Sequence, residues 1–181
     1  MKRTIYVISG PAGVGKSTTS RELVHSLERS AYISGDDISH IPVKGREKPW
    51  LSEETLKLTW KNIASITKNL IDSDFDVVID YVAFPKDLDY LISELKEYDV
   101  RIVYVVLMVE LKTLIDRDRQ RPVEIQMGHR CAVLHKEFEE AFIDKKHILE
   151  TDHYTTNDLT EIVNDIKNDK RFVVKESFSC R

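Results

Sequence analysis

The sequence predicts an α/β fold, a parallel sheet with helices on both faces. Three observations lead there. Short β-branched apolar runs alternate along the chain with longer segments whose apolar residues recur at helical spacing. The first run, Thr4–Ile8, empties into a glycine-rich turn, Gly10-Pro-Ala-Gly-Val-Gly-Lys-Ser17. The run Val100–Val109 is apolar apart from Arg101, as expected of a strand covered on both faces.

Taken in order, Thr4–Ile8 reads as a buried strand, and Leu23, Val24 and Leu27 give the helix that follows from Lys16. Ala31–Ser34 is a second short strand, stopping at Gly35-Asp36-Asp37. Pro42, Gly45 and Pro49 make residues 40–50 a loop. Ser52 caps the next helix, with Glu53 and Glu54 in its first turn. Its apolar face is Leu56, Trp60, Ile63, Ile66 and Leu70. Asp76–Asp80 is a third strand, and Pro85 opens a helix facing inward through Leu88, Leu91, Ile92 and Leu95. After the fourth strand, Leu111, Leu114 and Ile115 start a helix that runs into Arg117-Asp-Arg-Gln-Arg121 and meets Pro122. Ala132, Leu134, Phe138 and Phe142 mark a further helix, and His147–Leu149 a weak fifth strand. Leu159, Ile162, Val163 and Ile166 form a last amphipathic helix, with Thr155-Thr-Asn157-Asp158 as its N-cap cluster. Ligands of such sheets bind beyond the carboxyl ends of the strands, so the loops of interest are 9–17, 35–50, 81–85 and 110–130.

Bulk properties narrow the classes. The 181 residues suit one domain, residues 1–181, with no repeat or low-complexity segment. The 27 basic and 31 acidic side chains give a formal charge of −4, which offers no general attraction to nucleic acid or an anionic membrane. Cys131 and Cys180 are too few for a disulfide framework and lack metal-ligand spacing. Neither a leader nor a membrane-length apolar run is found, and a cytoplasmic location is expected.

The chemistry begins at Gly10-x4-Gly15-Lys16-Ser17, the Walker A pattern, in its required place between a strand and a helix. Glycines let backbone N–H groups turn toward an anion without Cβ clashes, and the helix adds its positive dipole end. The expected nucleotide contacts are Gly10, Pro11, Ala12, Gly13, Val14, Gly15, Lys16, Ser17 and Thr18. Lys16 should reach the β- and γ-phosphates of ATP, Ser17 should ligate Mg²⁺, and Thr18 could bond the α-phosphate.

Further polar residues stand at the ends of later strands: Asp36 and Asp37 in Ser34-Gly-Asp-Asp37, Asp80 closing Val77-Val-Ile79, and Arg117 and Arg121, four apart and on one helix face, with Arg119 pointing elsewhere. With the Walker A loop, these make most of the chain resemble the small P-loop kinases that phosphorylate metabolites or antibiotics, the group of gluconate kinase, shikimate kinase and chloramphenicol phosphotransferase, and also proteins known only as AAA-type P-loop ATPases. The resemblance implies a three-layer P-loop NTPase fold with a five-stranded parallel sheet in the order 2-3-1-4-5. It implies an acceptor-binding insert at about residues 38–73 and a lid at about 116–130. It also implies a carboxylate after the second strand that takes the proton of the acceptor hydroxyl or helps hold Mg²⁺; Asp37 is the expected base, with Asp36 the second candidate for that role and otherwise expected beside the metal. Asp80 resembles a Walker B aspartate near Mg²⁺, and Arg117 and Arg121 would neutralise charge on the transferring group, with Arg130 a weaker lid residue. The competing reading of this stretch, with Asp116 and Asp118 alongside the arginines, is a solvated charged face.

The acceptor pocket is expected among residues 38–60 and 81–85, with His40, Arg46, Trp50 and Tyr81 as contacts, Phe84 also near and Trp60 in the core. No residue set marks a gluconate, shikimate or chloramphenicol pocket. The expected activity is transfer of the ATP γ-phosphate to a hydroxyl of a small molecule. The competing readings are a regulatory nucleotide-binding ATPase and a polynucleotide 5′-hydroxyl kinase, the latter disfavoured by the negative charge and by Ile38-Ser-His-Ile41 after the aspartates.

Overall fold

A computed structural model describes residues 2–155 and 158–176. The chain forms β1 (Arg3–Ser9), α1 (Lys16–His25), β2 (Ser30–Ser34), α2 (Gly35–His40), α3 (Glu53–Asp72), β3 (Asp76–Asp80), α4 (Pro85–Glu94), β4 (Val100–Met108), α5 (Leu111–Arg119), α6 (His129–Glu140), β5 (Ile148–Glu150), α7 (Leu159–Asn168) and β6 (Val173–Lys175). The sheet runs β2-β3-β1-β4-β5 with all of these neighbours parallel, the predicted order. Tyr6 lies beside Val78 on one side and Val103 on the other, so β1 is the central strand of the sheet.

Strand alternation supplies both cores. Ile5, Val7, Val77, Ile79, Ile102, Tyr104 and Val106 meet α3, α4 and α6 through Trp60, Ile63, Leu88, Leu91, Leu134 and Phe138. Tyr6, Ile8, Val78, Val103, Val105 and Leu107 face the other way, onto Leu23 of α1, Leu114 of α5 and Ile162, Val163 and Ile166 of α7. Central strands are therefore apolar on both faces, as the run at 100–109 required. Among the described residues no helix is long and apolar enough to cross a membrane.

The caps follow the sequence. Ser52 Oγ accepts from the Thr55 N–H. Pro85 fills the first turn of α4, where the Asp87 carboxylate accepts from the Phe84 N–H.

Several expectations are corrected. The sheet has a sixth strand: β6 pairs antiparallel with β4, where five parallel strands were expected. Three residues carry too little periodicity to signal a strand. Residues 35–40, expected as the start of a loop, are a short helix capped by Ser34 Oγ, which accepts from the Asp37 N–H. Phe142 continues the apolar spacing of α6, but the helix ends at Glu140 and the ring is fully exposed. The expected cap cluster at 155–158 lies partly outside the described residues, at Thr156 and Asn157, as does Cys180. Within it, the Asp158 carboxylate accepts from the N–H and hydroxyl of Thr155.

Gly35 is needed for close approach. A Cβ there would enter the ring of Tyr81. Gly35→Ala is expected to cost about 1–3 kcal/mol by overpacking, measured by denaturant unfolding.

Candidate active site

The turn between β1 and α1 is built on positive backbone angles: Gly10 at φ 133°, Gly13 at 88° and Gly15 at 112°. Gly10 also passes too close to the Leu107 carbonyl for any side chain. Gly15 occupies the N-cap of α1 and provides no capping side chain. The first-turn N–H groups of α1 thus point out of the loop without an intrahelical acceptor, at the positive end of the helix. Lys16 folds back over this ring, its Nζ donating to the Gly10 and Pro11 carbonyls at 3.0 Å each. Burial lowers the Lys16 pKa, while Asp80 and Asp36 oppose that shift. The ammonium is held by backbone carbonyls, with two carboxylates acting on it from β3 and α2.

Asp80 ends β3 and is buried; its Oδ2 accepts from the Tyr32 hydroxyl at 2.6 Å. Burial, followed by this bond to Asp80, raises the Tyr32 pKa, and Ser17 nearby opposes the shift. Tyr32 therefore fixes the Asp80 carboxylate from β2. Asp36, one helical position into α2, has its pKa raised by desolvation; Lys16 opposes the shift and Asp80 adds to it. Ser17, Asp80 and Asp36 bring hard oxygen donors around Lys16, a set suited to Mg²⁺, which takes few protein ligands and keeps its waters. Among the described residues no group of three or more His, Cys, Asp or Glu side chains could form an all-protein metal cage.

The two aspartates of α2 separate. Both side chains are exposed, but Asp36 feels Lys16 and Asp80, whereas the backbone of Asp37 joins the Ser34 cap. Consecutive helical residues project about 100° apart, so the cap and the cleft take one each. His40 Nδ1 lies 2.6 Å from the Asp36 carbonyl oxygen, and Arg46 Nε donates to the Ser39 carbonyl at 2.6 Å. A cavity of about 110 Å³ lies beside them, lined by Ser39, Arg46, Thr55 and Thr59. Two cations lie over the Trp50 ring, Lys48 at 5.3 Å and Arg130 at 5.5 Å, and Arg130 also makes a two-pronged bond to Glu137. Trp50 thus joins the 41–52 loop to α6 rather than standing free.

Tyr81, expected at the acceptor, is buried against Gly35 and Trp60, and Phe84 stacks on Phe138 at 4.6 Å. Both are wall residues. Ser9 and Tyr104 hold this wall: the Ala83 carbonyl accepts from both hydroxyls, at 2.9 and 2.8 Å.

Beyond β4, Arg117 Nη1 donates to the Val14 carbonyl at 3.1 Å, so Arg117 reaches the glycine turn. Arg121 acts electrostatically on Lys16 and lies 3.8 Å from Asp118, while Arg119 pairs outward with Asp116. Asp118 departs from the competing reading of a solvated charged face. It is buried, and its carboxylate accepts from the backbone N–H groups of Met127 and Gly128. Burial alone would raise its pKa; those two bonds, together with Cys131 and Arg121, outweigh it and hold the carboxyl below its usual value. Cys131 Sγ donates to the Ala12 carbonyl at 3.5 Å, and burial pushes its pKa up to about 11.

Residues 5–139 match the family model described as an AAA domain. The chain belongs to this AAA domain family. No curated protein matches the sequence. The AAA domain shares its fold with solved structures of low identity. The tunicamycin resistance protein of Deinococcus radiodurans is 15% identical with a TM-score of 0.65, covering 91% of this chain and 94% of that one. A gluconokinase from Sinorhizobium meliloti 1021 is 19% identical with a TM-score of 0.64, covering 91% of each chain. The Mycobacterium tuberculosis APS kinase, solved with AMPPNP and APS, is 14% identical with a TM-score of 0.63, covering 92% of this chain and 98% of that one. At these identities the likeness concerns the fold.

Proposed function

We propose that this AAA domain protein is a small-molecule kinase that transfers the γ-phosphate of ATP to a hydroxyl group. The observation that carries the reading is the uncapped first turn of α1, with Lys16 pinned across it and Asp36 and Asp80 acting on the same ammonium. Backbone N–H groups and Lys16 bind the polyphosphate, and Thr18 lies exposed in the first turn of α1 to meet the α-phosphate. Ser17 and Asp80 would hold Mg²⁺, which when bound screens the β- and γ-phosphate charge. Asp36 takes the proton of the acceptor hydroxyl as its oxygen attacks the γ-phosphorus and the bond to the ADP oxygen breaks. The electrostatic reach of Lys16 supports Asp36 as base in place of Asp37. Arg117 and Arg121 offset charge on the transferring group from the 116–130 lid.

The acceptor enters over the insert of residues 38–73, beside His40 and Arg46. Trp50 shapes that entry through its contact with α6. Gluconokinase and APS kinase among the structures of like fold support a metabolite as acceptor. The formal charge of −4 supports a small molecule over a nucleic acid.

The test is ADP release measured across a panel of hydroxylated metabolites and antibiotics. One compound is expected to raise the rate sharply and to carry the phosphate afterwards. Slow hydrolysis indifferent to every compound would favour a regulatory ATPase, and label transfer to an oligonucleotide 5′ end would favour a polynucleotide kinase.

A further inference from the structure

We propose that Asp118 is a positioning residue: its buried carboxylate ties down the returning end of the lid and holds Arg121 toward the phosphate loop. The role rests on the transfer reading above.

The position itself is unusual. Leu114 is the buried apolar residue of α5, with Ile115 half-buried beside it, and Asp118, four residues after Leu114, falls on the same inward face, where the spacing calls for another apolar residue. Its side chain stands in the last turn, where the helix dipole disfavours a negative charge. A buried carboxylate is a poor source of stability compared with a well-packed hydrophobe. Stability alone gives no reason for an acid here.

Its contacts provide one. Asp118 accepts from the Met127 N–H at 3.0 and 3.1 Å and from the Gly128 N–H at 2.8 Å, where the chain turns at φ 53° into α6. The same carboxylate lies 3.8 Å from the Arg121 guanidinium, a separation at which charge attraction, not a hydrogen bond, acts. Gln126 Nε2 donates to the Arg119 and Arg121 carbonyls at 3.2 and 2.8 Å. Arg121 is therefore held at its backbone by Gln126 and at its side chain by Asp118. The neighbouring residue, Arg117, grips the Val14 carbonyl, and Cys131 reaches the Ala12 carbonyl. The last turn of α5 thus touches the phosphate loop with one residue and the lid with the next.

The test is a double-mutant cycle joined to amide hydrogen exchange. Asp118→Asn keeps the shape but removes the charge. It is expected to lower kcat about 10- to 100-fold, with the KM for ATP within about threefold. In an Arg121→Ala background the same change is expected to alter kcat less than about twofold, because its target is gone. In the free protein, Asp118→Asn should speed exchange of the Met127 and Gly128 amides while leaving those of β1 and β4 unchanged. An unchanged kcat in Asp118→Asn, or an equal loss with and without Arg121, overturns the positioning role while the kinase reading stands. Wild-type protein that turns over no ATP with any acceptor overturns the kinase reading and this role with it. If Asp118→Asn fails to fold, Asp118→Glu serves in the same cycle under the same criteria, since it keeps the charge and displaces the oxygens from the two amides.

Discussion

Lys16→Ala is expected to abolish detectable phosphoryl transfer, a loss of at least about a thousandfold in kcat, and to weaken ATP binding about 10- to 100-fold. The ammonium donates to the Gly10 and Pro11 carbonyls, which places it over the anion-facing N–H groups of the turn. Its removal takes away both a full positive charge at the γ-phosphate and the clasp across the loop. A hydrogen bond to a charged group is worth roughly 1.5–3 kcal/mol, which sets the binding loss; the larger loss in rate reflects charge that grows on the transferring oxygens. Burial lowers the Lys16 pKa, so kcat/KM should fall with rising pH earlier than an ordinary lysine would dictate. Calorimetric ATP titration and steady-state rates on the same preparation test both parts. Wild-type affinity in the alanine variant would remove the nucleotide site from this loop.

Asp36→Asn is expected to lower kcat by about 10²–10⁴ with ATP affinity within a fewfold of wild type, the signature of a lost general base. Asp37→Asn should change kcat no more than a fewfold, since it is Asp36 that feels Lys16 and Asp80, while the Asp37 backbone serves the Ser34 cap. The pH dependence has a definite sign. Desolvation raises the Asp36 pKa, and a base works only when ionised, so kcat/KM should fall with acidification at a pH above the usual carboxylate range. The same shift means that ionised Asp36 opposes folding above its unfolded pKa, an effect that disappears as acidification protonates it in the folded state. At neutral pH, Asp36→Asn should therefore leave the melting temperature unchanged or raise it. A variant that loses activity together with several degrees of stability would assign Asp36 a structural role. If Asp37→Asn proved the more damaging, the base would be Asp37, as the sequence alone suggests.

The residues divide according to how far apart their partners lie in the chain. Residues 10–17 were legible because the phosphate loop is a local object: a strand, three glycines in backbone conformations that side chains resist, and a helix whose first turn faces outward. Caps at Ser52 and Pro85 were legible for the same reason, each being settled within four residues. Alternation of strand and helix patterns was enough for the parallel sheet, because right-handed crossovers leave few other arrangements. Local patterns also misled. Phe142 keeps the spacing of α6 past the point where that helix stops, and Val173–Lys175 is too short to announce itself, becoming a strand only because the free flank of β4 is there to pair with.

Asp118 shows the limit most clearly. In sequence it is one charge in an alternating basic and acidic stretch; in the fold it is buried because the chain returns nine and ten residues later to bring two N–H groups onto it. Tyr81 reads as a pocket aromatic but is walled in by Gly35 and Trp60, which come from other segments. By itself, then, the sequence determined the sheet, its order through the resemblance it carries, and the anion-facing turn, all products of short-range backbone preferences and of apolar periodicity. Tertiary structure alone decided which aspartate lies near Lys16, which arginine touches the loop and which carboxylate meets the Met127 and Gly128 N–H groups, because electrostatic partnership depends on distances between side chains that only the packing of separate elements sets.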